Sequence, residues 1–387
     1  MMSDARAKLT AAQRIVVKVG TNVVMRDDGN VALGRLYSLI ESLATLRKAG
    51  KEVMLVSSGA VGLGAQRISL KPKTLNLKQA CAAIGQSRLM SIYEQGFEKL
   101  GIVTAQVLLT EDDFGNRRRY LNLRATLNKL IELGCIPIIN ENDTVSTSEL
   151  EGKIFGDNDK LSALVMSKVD ADLLVLLSDV DGLYDANPNK VTTAKLIKTV
   201  TEITPEIERY AEGTSQRGRG GMKTKLEAAR IAVNCGGIAI IASGRTPGIL
   251  DKIFSGEEVG TVFLPAKTLP SKKRWIAYAA LVAGTLKINE GAVKALIENK
   301  ASLLFAGVTA IEGDFERQDV VSICGPDGTE IARGIVNYSR AEAEKLIGLH
   351  SDKIATLVKN KNYDALITRD NIVLKEQAQP SSTSYAT

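Results

Sequence analysis

The sequence predicts an α/β protein with a mostly parallel sheet sandwiched by helices, followed by a second, smaller and mainly-β domain. From residue 14 to about 265, short segments rich in Val, Ile and Leu alternate with longer segments that repeat apolar residues at helical spacing. The chain has 387 residues, which exceeds one typical domain. Beyond Pro270 the pattern changes to short strands and glycine turns.

The first predicted element is a buried strand, Arg14–Val19, which ends in a turn at Gly20. Leu33 to Ala49 has the apolar spacing of a helix, and Gly50 stops it. The alternation continues with strand Val53–Val56, helix Leu77–Lys99, strand Ile102–Leu109, helix Leu121–Leu133, strand Cys135–Ile139, helix Lys160–Val169, strand Asp172–Leu177, helix Met222–Asn234, strand Gly237–Ala242 and a short strand near Thr261–Leu264. Ligands of such sheets bind at the carboxyl ends of the strands.

The change of pattern also divides the chain. We predict a first domain over residues 1–265, a linker over 266–280, a second domain over 281–370 and a disordered tail over 371–387. The tail is rich in Pro, Ser and Thr, which favours disorder.

Composition excludes several kinds of site. The chain has one histidine, His350, so histidine triads and histidine-rich zinc sites are excluded from the main body. Its four cysteines, Cys81, Cys135, Cys235 and Cys324, form no C-x-x-C pair and are expected to be buried free thiols rather than metal ligands. Any chemistry must therefore use Lys, Asp, Asn, Ser and backbone groups.

Charge and hydropathy indicate the cellular setting. Hydrophobic residues make up 44% and charged residues 24%, which is ordinary for a folded globular protein. No apolar run approaches the roughly 20 residues of a membrane-spanning helix, and the N-terminus lacks the apolar region of a secretory signal. We expect a cytoplasmic protein. The net charge of +6 suits phosphate-bearing ligands.

Two polar clusters follow the first two strands. Lys18 precedes a turn at Gly20 whose backbone N–H groups could face an anion, although a lysine at a strand end can also point to solvent. The segment 57–64 (SSGAVGLG) could bring amides close to a carboxylate or phosphate, or could be a plain glycine-rich turn. It does not spell the G-x-G-x-x-G dinucleotide motif.

Two further clusters combine carboxylates and amides. Asn140 to Asp143 (NEND) follow the strand that ends at Ile139, and Asp157 to Asp159 open the next helix, where Asx residues can also be simple N-caps. Ser178 and Asp179 follow the strand Asp172–Leu177, where an Asp-Gly turn is the alternative interpretation.

The last cluster, residues 218–225 (GRGGMKTK), opens a helix and could cradle phosphate. It is not a Walker A motif, because Arg219 and Gly220 stand where Lys and Ser or Thr should be. Two lysines on glycine turns, carboxylates at strand ends and no histidine are together typical of phosphoryl transfer, which relies on positioning and charge stabilisation. A carboxylate acceptor would be ionised at neutral pH and would need no general base.

The strings VVKVGTN, SSGAVGLG, NEND, GDND, SDVDGLY and GRGGMKTK occur in the order and at the spacing of one known family. Over residues 14–265 the chain resembles the glutamate 5-kinase family of the amino-acid kinase superfamily. The resemblance implies an amino-acid kinase fold and ATP-dependent phosphorylation of the side-chain carboxylate of L-glutamate, the first step of proline biosynthesis. It also implies Mg²⁺ as the ion on ATP, feedback inhibition by proline and assembly as a homo-oligomer.

The resemblance assigns roles residue by residue. Lys18, Asp159 and Lys225 would be catalytic, with Asp159 orienting the two lysines. Ser58, Asp143 and Asn158 would hold glutamate. The ATP-binding residues would be Lys18, Ser178, Asp179, Arg219, Gly220, Gly221, Met222, Lys223, Thr224 and Lys225, with no metal ligand assigned among the side chains. The family often has Thr at positions 178 and 219, so Arg219 is a departure from its pattern.

Residues from about 280 to 365 resemble the PUA domain, starting with Gly284 and the string 287–292 (KINEGA). PUA modules elsewhere bind RNA, but 15 basic against 14 acidic residues from position 272 onward form no strong positive footprint. Alternatives to glutamate phosphorylation are a kinase of the same superfamily for another small acid or a nucleotide, and an RNA-binding protein whose kinase domain is a scaffold.

Overall fold

The computed structural model describes residues 4–110, 112–145, 158–188, 190–212, 221–265, 270–349 and 365–375. The chain divides into two compact units. The first comprises Met1–Asp113 and Arg118–Leu269, and the second comprises Phe114–Arg117 and Pro270–Thr387. Of the tail predicted over 371–387, residues 371–375 are described and include a short strand, Ile372–Leu374, whereas residues 376–387 lie outside the described residues.

Up to residue 263 the described chain alternates helices and strands. In order they are α1 Asp4–Ala11, β1 Arg14–Val19, α2 Thr21–Val24, α3 Leu33–Lys48, β2 Glu52–Ser57, α4 Ala60–Arg67, α5 Leu75–Glu98, β3 Thr104–Leu109, α6 Asp112–Gly115, α7 Arg117–Glu132, β4 Ile136–Glu141, α8 Asn158–Val169, β5 Leu173–Ser178, β6 Thr199–Val200, α9 Pro205–Glu212, α10 Met222–Asn234, β7 Ile238–Ser243, α11 Ile249–Phe254 and β8 Thr261–Phe263.

The strands form a sheet in the order β3-β4-β2-β1-β5-β7-β8-β6, which has eight strands within the described part of the chain. Neighbouring strands run parallel, except that β8 is antiparallel to β7. The central strands β1, β2, β5 and β7 are buried almost throughout, as expected where helices cover both faces. The predicted α/β fold with a mostly parallel sheet is confirmed.

The two faces of β1 pack differently. Ile15, Val17 and Val19 point into a large apolar core with side chains from α3, α5 and α11. Because side chains alternate along a strand, Lys18 points to the opposite face, where α8 and α10 pack against the sheet and against each other. Lys18 is therefore buried on the face of the sheet that α8 and α10 cover.

Up to residue 263, several short helices escaped the sequence prediction, namely α1, α2, α4, α6, α9 and α11. The interpretation of 57–64 as a plain glycine turn is wrong, because α4 begins at Ala60. This helix crosses α5 closely: a Cβ added at Gly64 would lie 1.8 Å from the Cys81 carbonyl oxygen, and one added at Gly85 would lie 1.8 Å from that of Ala60. Glycine at both positions permits the close approach.

The second unit contains a five-stranded sheet in the order β10-β9-β11-β12-β13 among the residues described there. Its elements are α12 Ser271–Arg274, a π-helical turn Trp275–Ala279, β9 Val282–Ile288, α13 Glu290–Ile297, β10 Val308–Gly313, β11 Val320–Cys324, β12 Glu330–Ile335, α14 Arg340–Glu344 and β13 Ile372–Leu374. An apolar core of its own includes Phe305, Phe315 and Tyr338. The predicted mainly-β character of this part is confirmed.

All four cysteines are free thiols. Cys81, Cys235 and Cys324 are buried as expected, whereas Cys135 is only partly buried. Among the helices that the structure describes, none combines the length and apolar character needed to cross a membrane.

Candidate active site

The centre of the site is a carboxylate held between two lysines. Asp159, in the first turn of α8, is fully buried. Its Oδ1 lies 2.5 Å from Lys18 Nζ, and its Oδ2 lies 3.1 Å from Lys225 Nζ. Lys18 comes from β1 and Lys225 from the start of α10, and both are buried. Three elements that are distant in sequence therefore bring three charged groups together.

The charges of this cluster depend on one another. Burial alone would raise the pKa of Asp159, but attraction to Lys18 and Lys225 outweighs it, and the pKa lies below its usual value. The carboxylate is therefore ionised at neutral pH. An ionised Asp159 fixes the positions of both ammonium groups in a region from which water is excluded, where fixed charges act strongly.

The N-terminus of α10 adds neutral polar groups beside the lysines. Thr224 Oγ1 lies 3.0 Å from Asp159 Oδ2 and 2.9 Å from the Gly221 carbonyl oxygen, so one hydroxyl can donate to either acceptor. Met222 is buried, whereas the Lys223 side chain is exposed. The first N–H groups of a helix have no partner within it and favour anions.

On the other side of Asp159 lies a network of amides at the ends of β2 and β4. Asn158 Nδ2 is 2.8 Å from Ser58 Oγ, 2.9 Å from Asn140 Oδ1 and 3.3 Å from the Ser57 carbonyl oxygen. Asn140 Nδ2 in turn donates to Gln86 Oε1 on α5 at 2.9 Å. This amide network comprises Ser58, Gln86, Asn140 and Asn158.

Ser58 leads into a tight glycine that opens α4. Gly59 has φ of +108°, a conformation that side chains rarely adopt. A Cβ there would also lie 2.8 Å from Val24 Cγ1. The glycine lets the chain turn from β2 into α4 while its backbone remains close to Ser58.

A third polar group lies at the carboxyl end of β5. Ser178 Oγ donates to Asp179 Oδ1 at 3.1 Å, and Asn22 Nδ2, beyond the end of β1, donates to Asp179 Oδ2 at 2.7 Å. Burial would raise the pKa of Asp179, but the hydrogen bond from Asn22 and further favourable contacts outweigh burial and lower it. Asp179 is therefore ionised and anchored at the carboxyl end of the sheet.

The residues predicted from sequence are distributed as follows. Lys18, Asp159, Lys225 and Thr224 lie in direct contact, and Asn158 and Ser58 lie in the adjoining amide network. Asp143 lies in the turn after β4 and is half-buried. Asp157, Arg219 and Gly220 fall outside the described residues. Roles for these residues are taken up below as proposals.

Two contacting residues, Gln86 and Asn22, were assigned no role in the sequence analysis. Gln86 lies in the middle of a long helix, where a glutamine normally faces solvent. The signal that could have found it is the neighbouring Gly85, since a glycine inside a helix often marks a close approach. Asn22 belongs to the VVKVGTN string together with Lys18, but of the two only Lys18 was assigned a role.

Within the ranges that the structure describes, no cluster of three or more His, Cys, Asp or Glu side chains could enclose a metal ion. A divalent cation that takes most of its ligands from a bound substrate and from water needs no such cluster. Mg²⁺ commonly binds in that way next to phosphate groups.

Comparison with known proteins agrees with this architecture. The model of the amino acid kinase family matches residues 13–242, and the PUA domain model matches residues 284–358. The glutamate 5-kinase of Moorella thermoacetica is 46% identical over 375 residues, covering 96% of this chain and 98% of that protein. The glutamate 5-kinase of Trichlorobacter lovleyi is 47% identical over 373 residues, covering 95% and 98%.

Among solved structures, carbamate kinase from Giardia lamblia bound to AMP-PNP aligns with a TM-score of 0.48 and 16% identity. The alignment covers 66% of this chain and 99% of that chain.

Proposed function

The chain belongs to the amino acid kinase family and, within it, to the glutamate 5-kinases, and we propose that it phosphorylates L-glutamate with ATP. The reaction transfers the γ-phosphoryl group to the side-chain carboxylate and gives L-glutamyl 5-phosphate, the first step of proline biosynthesis. Identity of 46% over nearly the whole chain favours glutamate over another small acid, a nucleotide or an RNA-binding role.

The observation that carries the proposal is the Lys18–Asp159–Lys225 cluster. As the phosphoryl group moves, negative charge is spread over its oxygens, and the reaction is accelerated by cations already held in place. Lys18 and Lys225 supply those cations, and Asp159 holds them. Glutamate, with a side-chain pKa of about 4.3, attacks as the carboxylate, so the site requires no general base.

The acceptor site proposed for glutamate is formed by Ser58, Asp143 and Asn158. Ser58 Oγ and the backbone N–H groups at Gly59 suit a carboxylate, and the oxygens of Asp143 and Asn158 suit an ammonium group. Support comes from the position of Asn158, whose neighbour Asp159 contacts both lysines. The acceptor would then lie beside the cations.

The nucleotide site proposed here lies at the other side of the lysines. Ser178 ends β5 and Asp179 follows it. Gly221 caps α10, and Met222, Lys223 and Thr224 form its first turn. Exposed N–H groups and Lys223 at this helix end would bind phosphate oxygens. Arg219 and Gly220 belong to the same proposed site but lie outside the described residues.

Mg²⁺ is part of the proposal, because it offsets phosphate charge in kinases of this kind. The described residues fit an ion held chiefly by ATP oxygens and water, since they offer isolated carboxylates such as Asp179 and no enclosing cluster. Lys18 and Lys225 contact the phosphate oxygens whose charge the ion does not offset.

The test is ATP consumption by the purified protein with Mg²⁺ and a panel of small acids, with hydroxylamine present to trap an acyl phosphate as a coloured hydroxamate. Signal with L-glutamate, and none with aspartate or acetylglutamate, is the expected result. Signal only with another acid would refute glutamate as the acceptor. ADP formation without hydroxamate would refute transfer to a carboxylate.

Three features implied by the family remain proposals for this chain. Proline should lower the glutamate-dependent rate, which the same assay measures. The protein should be a homo-oligomer, which light scattering coupled to gel filtration measures. It should reside in the cytoplasm, which cell fractionation tests.

A further inference from the structure

Gln86 joins the amide network from α5, but no role in binding has been assigned to it so far. Its Oε1 accepts from Asn140 Nδ2 at 2.9 Å, and Asn140 Oδ1 accepts from Asn158 Nδ2 at 2.9 Å. The three amides thus form a chain that runs from α5, across the end of β4, to the first turn of α8. Gln86 follows Gly85, one of the two glycines at which α4 and α5 approach each other closely.

Backbone groups at two points determine which way each amide faces. The Glu141 backbone N–H donates to Asn140 at 2.9 Å, so the atom it meets must be the oxygen, and Asn140 Nδ2 must face Gln86. Gln86 therefore presents Oε1 to Asn140. The Ser57 carbonyl oxygen likewise requires the nitrogen of Asn158 on its side.

This orientation leaves two buried polar atoms in the network without a hydrogen bond among the described residues: Gln86 Nε2, a donor, and Asn158 Oδ1, an acceptor. A buried polar atom without a partner costs about 1–3 kcal/mol. Two such atoms of opposite character, one at each end of the amide chain, are best explained by a ligand that carries both an anionic acceptor and a cationic donor. The α-carboxylate and α-ammonium groups of an amino acid provide that pair.

We propose that Gln86 Nε2 binds the α-carboxylate of the acceptor amino acid while Asn158 Oδ1 accepts a hydrogen bond from its α-ammonium group. Gln86 is thereby a specificity residue for the α-substituents, and Asn140 positions it. The inference rests on the proposed function, because it assumes that L-glutamate is the acceptor.

The order of the strands supports this orientation of the bound amino acid. Lys18 lies on β1, and Asn140 lies on β4, two strands away across β2. Adjacent strands are about 4.8 Å apart, so the two residues are separated by roughly 10 Å across the sheet. Extended glutamate spans about 5 Å between its carboxyl carbons, and a hydrogen bond of about 3 Å at each end completes the distance. The side-chain carboxylate then reaches the cations while the α-carboxylate reaches Gln86.

The test compares glutamate kinetics of the wild-type enzyme with those of two variants. Gln86→Met removes the donor at similar volume, and Gln86→Glu keeps an acceptor for Asn140 Nδ2 while removing the donor and adding a like charge. Loss of a hydrogen bond to a charged group, about 1.5–3 kcal/mol, should raise the KM for L-glutamate about 10- to 150-fold. We expect kcat and the KM for ATP to change by less than about threefold.

Gln95→Met is the matched control, because Gln95 lies on the same helix and is exposed. Its KM for glutamate should equal that of the wild type. Inhibition by 4-aminobutyrate, which lacks the α-carboxylate, should be the same in Gln86→Met as in the wild type. Inhibition by glutarate, which has a second carboxylate but no ammonium group, should weaken in that variant.

An unchanged KM for glutamate in either folded Gln86 variant would overturn the inference and leave the proposed function intact. Equal losses of kcat and of affinity for both substrates would also overturn it, since they would indicate a structural role. If wild-type protein makes no glutamyl hydroxamate, the proposed function fails and the inference fails with it. Thermal unfolding establishes that each variant is folded, and if Gln86→Met is not, Gln86→Glu decides.

Discussion

Asp159→Asn is the substitution that tests the proposed centre most directly. It keeps the shape of the side chain and one oxygen near Thr224, but it removes the negative charge that both lysines contact. The variant leaves two ammonium groups close together in a buried region. Their repulsion should displace Lys18 and Lys225 from the positions that a transferring phosphoryl group requires.

The expected loss of stability in Asp159→Asn follows from the burial of the three charged groups. Removing one partner from a buried ion pair costs about 3–5 kcal/mol, because the remaining charge keeps its desolvation penalty. For a unit of this size each kcal/mol lowers the unfolding temperature by about 2–4 °C, so we expect a decrease of roughly 6–20 °C. Loss of positioned charge should lower kcat by about 100-fold or more.

The stability difference should also depend on pH in a definite direction. The pKa of Asp159 is lowered in the folded protein, so its stabilising effect is complete above the unfolded pKa of about 3.9 and is lost as pH falls through the folded pKa. Wild type and Asp159→Asn should therefore differ by a constant amount from about pH 5 to pH 8. The difference should shrink below about pH 4.

Hydroxamate formation measures kcat, and two spectroscopic signals separate the two units. Trp275 is the only tryptophan of the chain and belongs to the second unit, so its fluorescence reports unfolding there. Far-ultraviolet circular dichroism reports both units. The transition that Asp159→Asn shifts should be seen by circular dichroism without a matching change in the tryptophan signal.

Asp170→Asn is the control, since Asp170 lies just past the other end of α8 and forms a surface ion pair with Arg124. An exposed pair contributes about 0–1 kcal/mol, so the control should unfold within a few degrees of the wild type. If Asp159→Asn is as stable and as active as this control, Asp159 does not hold the two lysines and the proposed centre is wrong.

Three further predictions concern single side chains. Lys225→Met should lower kcat about 100- to 1,000-fold with the KM for glutamate nearly unchanged; a large rise in that KM with normal kcat would remove Lys225 from phosphoryl transfer. Asp143→Ala should raise the KM for glutamate about 10-fold and leave that for ATP within about twofold; equal effects on both would contradict its place in the acceptor site. Burial lowers the pKa of Lys168 to about 7. The buried ammonium group therefore destabilises the folded protein most below that pH, and it has no effect above about pH 10.4, where the side chain is neutral in both the folded and the unfolded state. Lys168→Met should therefore gain most over the wild type in thermal unfolding at pH 6 and less at pH 9, and a gain that grows with pH would refute this.

The strands were the most predictable part of the fold. Arg14–Val19 was predicted with the bounds that the structure has, because a strand buried on both faces is a continuous apolar run. The short helices were not predictable in the same way. Four residues in α2, or eight in α4, are too few to show a helical repeat, and the glycines in α4 indicated a turn.

The start of α8 shows that the roles of single residues were harder to predict from the sequence than the fold. By sequence alone, Asp157 or Asn158 could be a simple N-cap as well as a site residue. The structure places Asn158 and Asp159 inside the first turn. Which groups they meet depends on the order of the strands, which is not the order of the sequence. The motifs therefore identified Lys18, Asp159 and Lys225 as candidates, but their pairing required the packing of α8 and α10 on one face of the sheet.

The first turn of α8 also explains why substitutions in the amide network and in the lysine cluster should change different kinetic constants. Consecutive residues of a helix point about 100° apart, so Asn158 faces Ser58 and Asn140 while Asp159 faces the lysines. One turn thus contributes to the proposed acceptor site with one side chain and to the lysine cluster with the next. Substitutions in the amide network should act on the KM for glutamate, and substitutions in the lysine cluster on kcat. A change that moves the whole turn must alter both, because its two side chains share one backbone.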